Sequence, residues 1–123
     1  MPIDLRIDRD AGILYTTIRG EVTVDEIVDA FNKLFQSPDF RPGLSGLADL
    51  RESRITSSLS NVRRLAELMI ENRDRIGPSR TAIVVDSDID YGMARMFEVF
   101  AEQSMAETQV FKDIDQAMIW LKD

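Results

Sequence analysis

From Thr23 onward the sequence switches repeatedly between helix-period segments and short strand-like segments, and that alternation limits the folds open to it. "TVDEIVDAFNKLFQSPDF" (23–40) places Ile27, Phe31, Leu34 and Phe35 on one helical face. Thr23 and Glu26 have the spacing of a capping box, and Pro38 stops the helix. "LSGLADL" (44–50) reads as a short strand, apolar on both faces. A second helix runs from about Ser58 or Ser60 to Arg73, with Leu59, Val62, Leu65, Ala66 and Met69 at helical spacing. "GPS" (77–79) breaks the chain, and "RTAIVVD" (80–86) is a continuous buried strand. "SDIDYGMARMFEVFAEQS" (87–104) is a third long helix, with Asp88 as its expected cap. "ETQVFKD" and "DIDQAMIWLKD" add a last strand and a final helix, capped by Asp113, with Ala117, Met118 and Leu121 inward.

Ahead of this pattern, "IDLRIDR" alternates apolar and polar residues, and "ILYTTIRG" is rich in β-branched and aromatic ones. Gly12 between them can take a positive φ, so the two pair as a hairpin. The order is β-β-α-β-α-β-α-β-α. Strict alternation after a hairpin predicts a single α/β domain whose sheet has parallel crossovers and is covered by four amphipathic helices.

The chain of 123 residues carries 44% hydrophobic and 30% charged residues, enough for one packed core. The absence of histidine and cysteine from this sequence excludes thiol catalysis, disulfides, Ser-His-Asp hydrolysis and zinc sites of Cys or His. Acid–base work would fall to Asp, Glu, Tyr or the lysines Lys33, Lys112 and Lys122, so the expectation is a protein that is not an enzyme and needs no cofactor. The acidic residues of "DSDID" lack the Gly and terminal Glu of a calcium loop, and no metal site is expected. A net charge of −7 argues against nucleic acid as a partner. The first ten residues lack the basic start and apolar run of a signal peptide, which makes a cytoplasmic location the expectation.

Two stretches carry candidate binding residues. In "ADLRESRITSSLSNVRR" (48–64), Ser57, Ser58 and Ser60 cluster at the start of the second helix, flanked by Arg51, Arg54, Arg63 and Arg64. These residues serve either as a helix cap with a solvated charged face or as a site for an anion or protein partner. Asp49 sits near a strand's C-terminal end, where α/β folds place ligands, or holds the following loop by hydrogen bonds. In "YGMARMF" (91–97), Met93, Met96, Phe97 and Phe100 form a broad stripe that Tyr91 and Met105 extend. The stripe is core, or it is an adaptable apolar surface wide enough to favour a homodimer, a hydrophobic ligand or peripheral membrane contact.

"GEVTVDEI" after the hairpin, "LADLR" at the third strand and the closing "VFKDIDQAMIWL" together resemble the SpoIIAA-like branch of the STAS domains over the whole chain, residues 1–123. The closing Phe111, Asp113, Ala117, Trp120 and Leu121 carry the most distinctive part of that resemblance. It implies a mixed, mostly parallel sheet of four to five strands with helices mainly on one side, and a regulatory or binding role. It also implies a phosphoacceptor serine just after the third strand, which maps by position to Ser57, with Ser58 next. Added phosphate would bring roughly −1.5 to −2 of charge to that surface. This sequence departs from the antagonist pattern in having Thr56 before Ser57 and no Gly between Ser53 and Ile76.

Overall fold

The computed structural model describes residues 2–55 and 58–123. Five strands form one sheet in sequential order: β1 (Ile3–Asp8), β2 (Ile13–Val22), β3 (Ser45–Ile55), β4 (Ser79–Val84) and β5 (Ala106–Phe111). β1 and β2 are the antiparallel hairpin, closed by Gly12 at φ 67°, and every later pairing is parallel. The helices are α1 (Val24–Phe35), α2 (Leu59–Glu71), the single turn α3 (Arg73–Ile76), α4 (Asp88–Phe100) and α5 (Ile114–Lys122). Each parallel strand joins beside its predecessor, so crossovers of one hand carry α1, α2 and α4 over the same face. The last helix, α5, follows the final strand and covers the other face.

Side-chain alternation along the strands sorts the core accordingly. Ile13, Leu47, Ala82 and Val84 pack against Ala117 and Leu121 of α5, with Phe111 and Trp120 at the rim. On the opposite face, Ile18 and Val22 meet Ile27 of α1, while Ile83, Val85 and Val110 meet Ala94 of α4. Phe35, Leu68 and Ile76 close the end nearest α3.

The predicted capping box forms in full: Thr23 Oγ1 accepts from the Glu26 amide at 3.1 Å, and Glu26 Oε1 accepts from the Thr23 amide at 3.2 Å. Asp113 caps α5 through the amides of Asp115 and Gln116.

Four details differ from the sequence reading. The third strand does not end near Leu50 but runs to Ile55, because β2 itself continues to Val22 and supplies ladder partners, Arg19 for Glu52 and Val22 for Ile55. One extra residue of β3 is absorbed between Thr17 and Arg19. A fifth helix, α3, arises because Asn72 leaves helical geometry at φ −105°, ψ 18° and donates its side chain to Leu68 O at 2.8 Å. The cap of α4 is Ser87, whose Oγ accepts from the Asp90 amide. Asp88 instead pairs with Lys112, which holds its carboxyl below the usual carboxylate range. Leu59, placed on the inner stripe of α2, is 48% exposed at the first turn, and Leu68 is the buried residue that the stripe omitted.

Candidate functional site

Between the sheet and the α1, α2, α4 layer lies a partly open cavity of about 220 Å³. Its origin is visible in the side chains that the strands send toward the helices. One cross-strand row contains Leu14, Gly46 and Thr81, and the next contains Thr16, Ala48 and Ile83. Gly46 and Ala48 give the middle strand almost no bulk at the point where three helices pass over it. The helices contribute Phe31 and Phe35 from α1, Val62, Leu65 and Met69 from α2, and Met93 and Phe97 from α4. Large side chains above and minimal ones below leave a gap that the fold does not close. For comparison, an apolar cavity of roughly 150 Å³ is enough to take up benzene.

The wall is almost wholly apolar, with a few polar groups placed along it. Thr16 is buried at 5% exposure, and Thr81 stands two strands over, across β3. Ser79 Oγ is buried and has no hydrogen-bond partner among the described residues. Asp90, in the first turn of α4, is the ionisable side chain among the described lining residues. Ser79 begins β4, whereas Asp90 lies just past the strand's far end, so the two mark opposite ends of the cavity.

The candidate residues of the helix stripe divide among three surroundings. Met93 and Phe97 line the cavity. Phe100 lies under the Arg63 guanidinium at 4.7 Å, and Tyr91 lies 5.6 Å from Lys112 Nζ while packing on the Ile83 cluster. Met96 faces outward at 37% exposure beside Ile89 at 76% and Val99 at 56%.

The hydroxyl and arginine cluster is mostly engaged within the chain. Ser57 lies outside the described residues, as does Thr56. Ser58 is the N-cap of α2: its Oγ accepts from the Asn61 amide at 3.2 Å and lies 3.2 Å from Ser60 Oγ. Arg51 grips Asp49 through its backbone amide, Nε and Nη2. That side-chain hydrogen bonding holds the Asp49 carboxyl below its ordinary range against the opposing effect of burial. Arg64 pairs with Asp25 of α1, and Arg54 projects from β3 into solvent. Arg51, Arg63 and Arg64 therefore engage three different partners, and with Arg54 in solvent the four arginines do not converge on one point.

The cavity's floor and its α1 wall were not singled out from sequence. The available signal was the contrast between Gly46 and Ala48 at alternate positions of a strand and Met or Phe on the helices opposite it. Ser79 and Thr81, alternating in an otherwise buried strand, were a second signal.

The SpoIIAA-like family model matches residues 13–122. The crystal structure of an uncharacterized DUF3478-family protein with a SpoIIAA-like fold, from Shewanella loihica PV-4, aligns with a TM-score of 0.66. Sequence identity is 20%, and the alignment covers 97% of this chain and 91% of that one. A comparison with curated proteins found no match.

Proposed function

The chain belongs to the SpoIIAA-like family, whose fold in general serves regulatory or binding modules, and from that premise we propose that it binds a small hydrophobic molecule in the cavity under α1, α2 and α4, without catalysis. The observation that carries this reading is the size and apolar character of the cavity between a floor of Gly46 and Ala48 and a roof that includes Met93 and Phe97. Apolar cavities of this kind favour apolar guests, because water inside would lack the two to four polar partners it needs. Methionine on the roof suits the task, since its unbranched thioether adapts to differently shaped guests. Reversible contact with an apolar surface fits the same reading: Ile89, Met96 and Val99 expose apolar area on the outer side of the helix whose inner side forms the roof.

Docking of a protein partner or anion at the start of α2 has less support. Arg51, Arg63 and Arg64 already have partners, and Ser58 acts as a cap. No helix among the described residues is long and apolar enough to cross a membrane, so any membrane contact would be at the surface.

The test is titration of purified protein with N-phenyl-1-naphthylamine, a neutral dye that fluoresces in apolar surroundings, alongside native mass spectrometry of the same preparation. Saturable one-to-one enhancement is the expected result. A linear, non-saturating response with no bound small molecule would remove the reading.

A further inference from the structure

Resting on the cavity reading, we infer that the guest is an uncharged amphiphile carrying a hydroxyl or carbonyl group, and that the site rejects fatty-acid-type anions. The argument starts from what a carboxylate would meet inside. The described residues that line the cavity include no Arg or Lys to receive a negative charge. The two arginines of α2 are directed elsewhere, Arg63 over Phe100 and Arg64 onto Asp25. At the α3 end, Arg75 donates to Phe35 O at 3.4 Å. At the other end, Asp90 presents a carboxylate of its own. An anionic head would therefore be desolvated without a partner at one end and repelled at the other.

A neutral polar head has somewhere to go. Ser79 Oγ is buried and unpartnered among the described residues, and Thr81 lies two residues along the same strand, on the same face. A hydroxyl or carbonyl placed there would satisfy the serine while its chain ran over Gly46 and Ala48 toward Met93. The unmet hydroxyl thus selects one polar group, and the surrounding wall selects an alkyl or isoprenoid chain behind it.

The experiment measures displacement of N-phenyl-1-naphthylamine at pH 7.5 by octan-1-ol, octanoate and octylamine, which share a chain length and differ in head group. Octan-1-ol should displace the dye, with octanoate weaker by at least about tenfold. Ser79→Ala should weaken octan-1-ol by about three- to tenfold, the effect of one hydrogen bond, once displacement is corrected for the dye affinity measured directly on each variant. Asp90→Asn should narrow the gap between octanoate and octan-1-ol. Equal displacement by octanoate and octan-1-ol overturns the inference, and so does octylamine binding best. An octan-1-ol affinity indifferent to Ser79→Ala also overturns it. All three of these outcomes leave the cavity reading standing. Failure of the dye to bind the unmodified protein removes that reading itself, which makes the two failures distinguishable.

Discussion

Arg51 Nε and Nη2 hold the two carboxylate oxygens of Asp49 at 2.9 and 2.8 Å, a two-pronged pair made between residues only two apart on one strand. A regular strand points residues i and i+2 to the same side, and the extra residue absorbed here helps the long arginine fold back onto its neighbour. Because the folded-state pKa of Asp49 lies below its ordinary value of 3.8, the pair's contribution is fully present above that value. It is lost as pH falls through the folded pKa. Arg51→Gln should therefore reduce stability near neutrality and flatten the decline below pH 3.8. The partial exposure of Arg51 keeps the effect under about 1 kcal/mol. Urea denaturation at several pH values, together with NMR titration of the Asp49 carboxyl, checks both parts.

Ala48→Leu adds branched bulk to the middle of the cavity floor. In a filled core such overpacking costs about 1–3 kcal/mol. Here the new side chain enters existing space, so the melting temperature should hold or rise while dye affinity falls by about tenfold or more. A drop in melting temperature with dye binding intact would contradict the described shape of the floor.

Gly77→Ala should destabilise by about 1–3 kcal/mol. Gly77 sits at φ 67°, ψ 175°, a conformation left almost entirely to glycine, and an added Cβ would lie 2.9 Å from Pro42 Cβ. Its neighbour Ile76 accepts from the Gly43 amide at 2.8 Å, so strain at Gly77 reaches the segment that positions Phe40 and Leu44 beside the cavity. Equilibrium unfolding measures the stability loss. Gly46→Ala is the contrasting case, since its Cβ would meet Thr81 Oγ1 at 3.4 Å and φ there is not positive. That substitution should be neutral or stabilise by up to about 1 kcal/mol.

Thr23→Ala removes the hydroxyl that accepts from the Glu26 amide and breaks the reciprocal arrangement at the start of α1. A cost of about 0.5–2 kcal/mol is expected, read from the shift in urea midpoint at constant slope.

The order of elements was legible because each long helix buries one stripe and the central strands carry short apolar runs, at 47–48 in β3 and 82–84 in β4. Thr23, Glu26, Pro38 and Asp113 punctuate the chain by local chemistry that needs no tertiary information. The end of β3 was not legible, because Arg51, Glu52 and Arg54 resemble a loop until β2 is seen to extend alongside them. Ser87 and Asp88 are both good caps by type, and the backbone decides between them: Ser87 is extended at φ −125°, ψ 157°, which leaves Asp88 in the first turn to pair with Lys112. Met93 and Phe97 belong to a stripe that reads as core or as an adaptable apolar surface, and their shared periodicity with Met96 conceals that Met96 turns outward. The floor was harder to see, since Gly46 and Ala48 matter through the volume they leave out. That volume depends on what three distant segments place above them.

The helix on the far side of the sheet seats its Ala117 against Ala82 and Val84, and none of the three has exposed area. Its hold on β3, β4 and β5 does not pass through the opposite layer. The packing of this side on the strand ladder is thus independent of the contacts that the other helices make. Hydrogen-exchange protection is therefore expected to be greater in β4 and α5 than in the helices beside the partly open cavity.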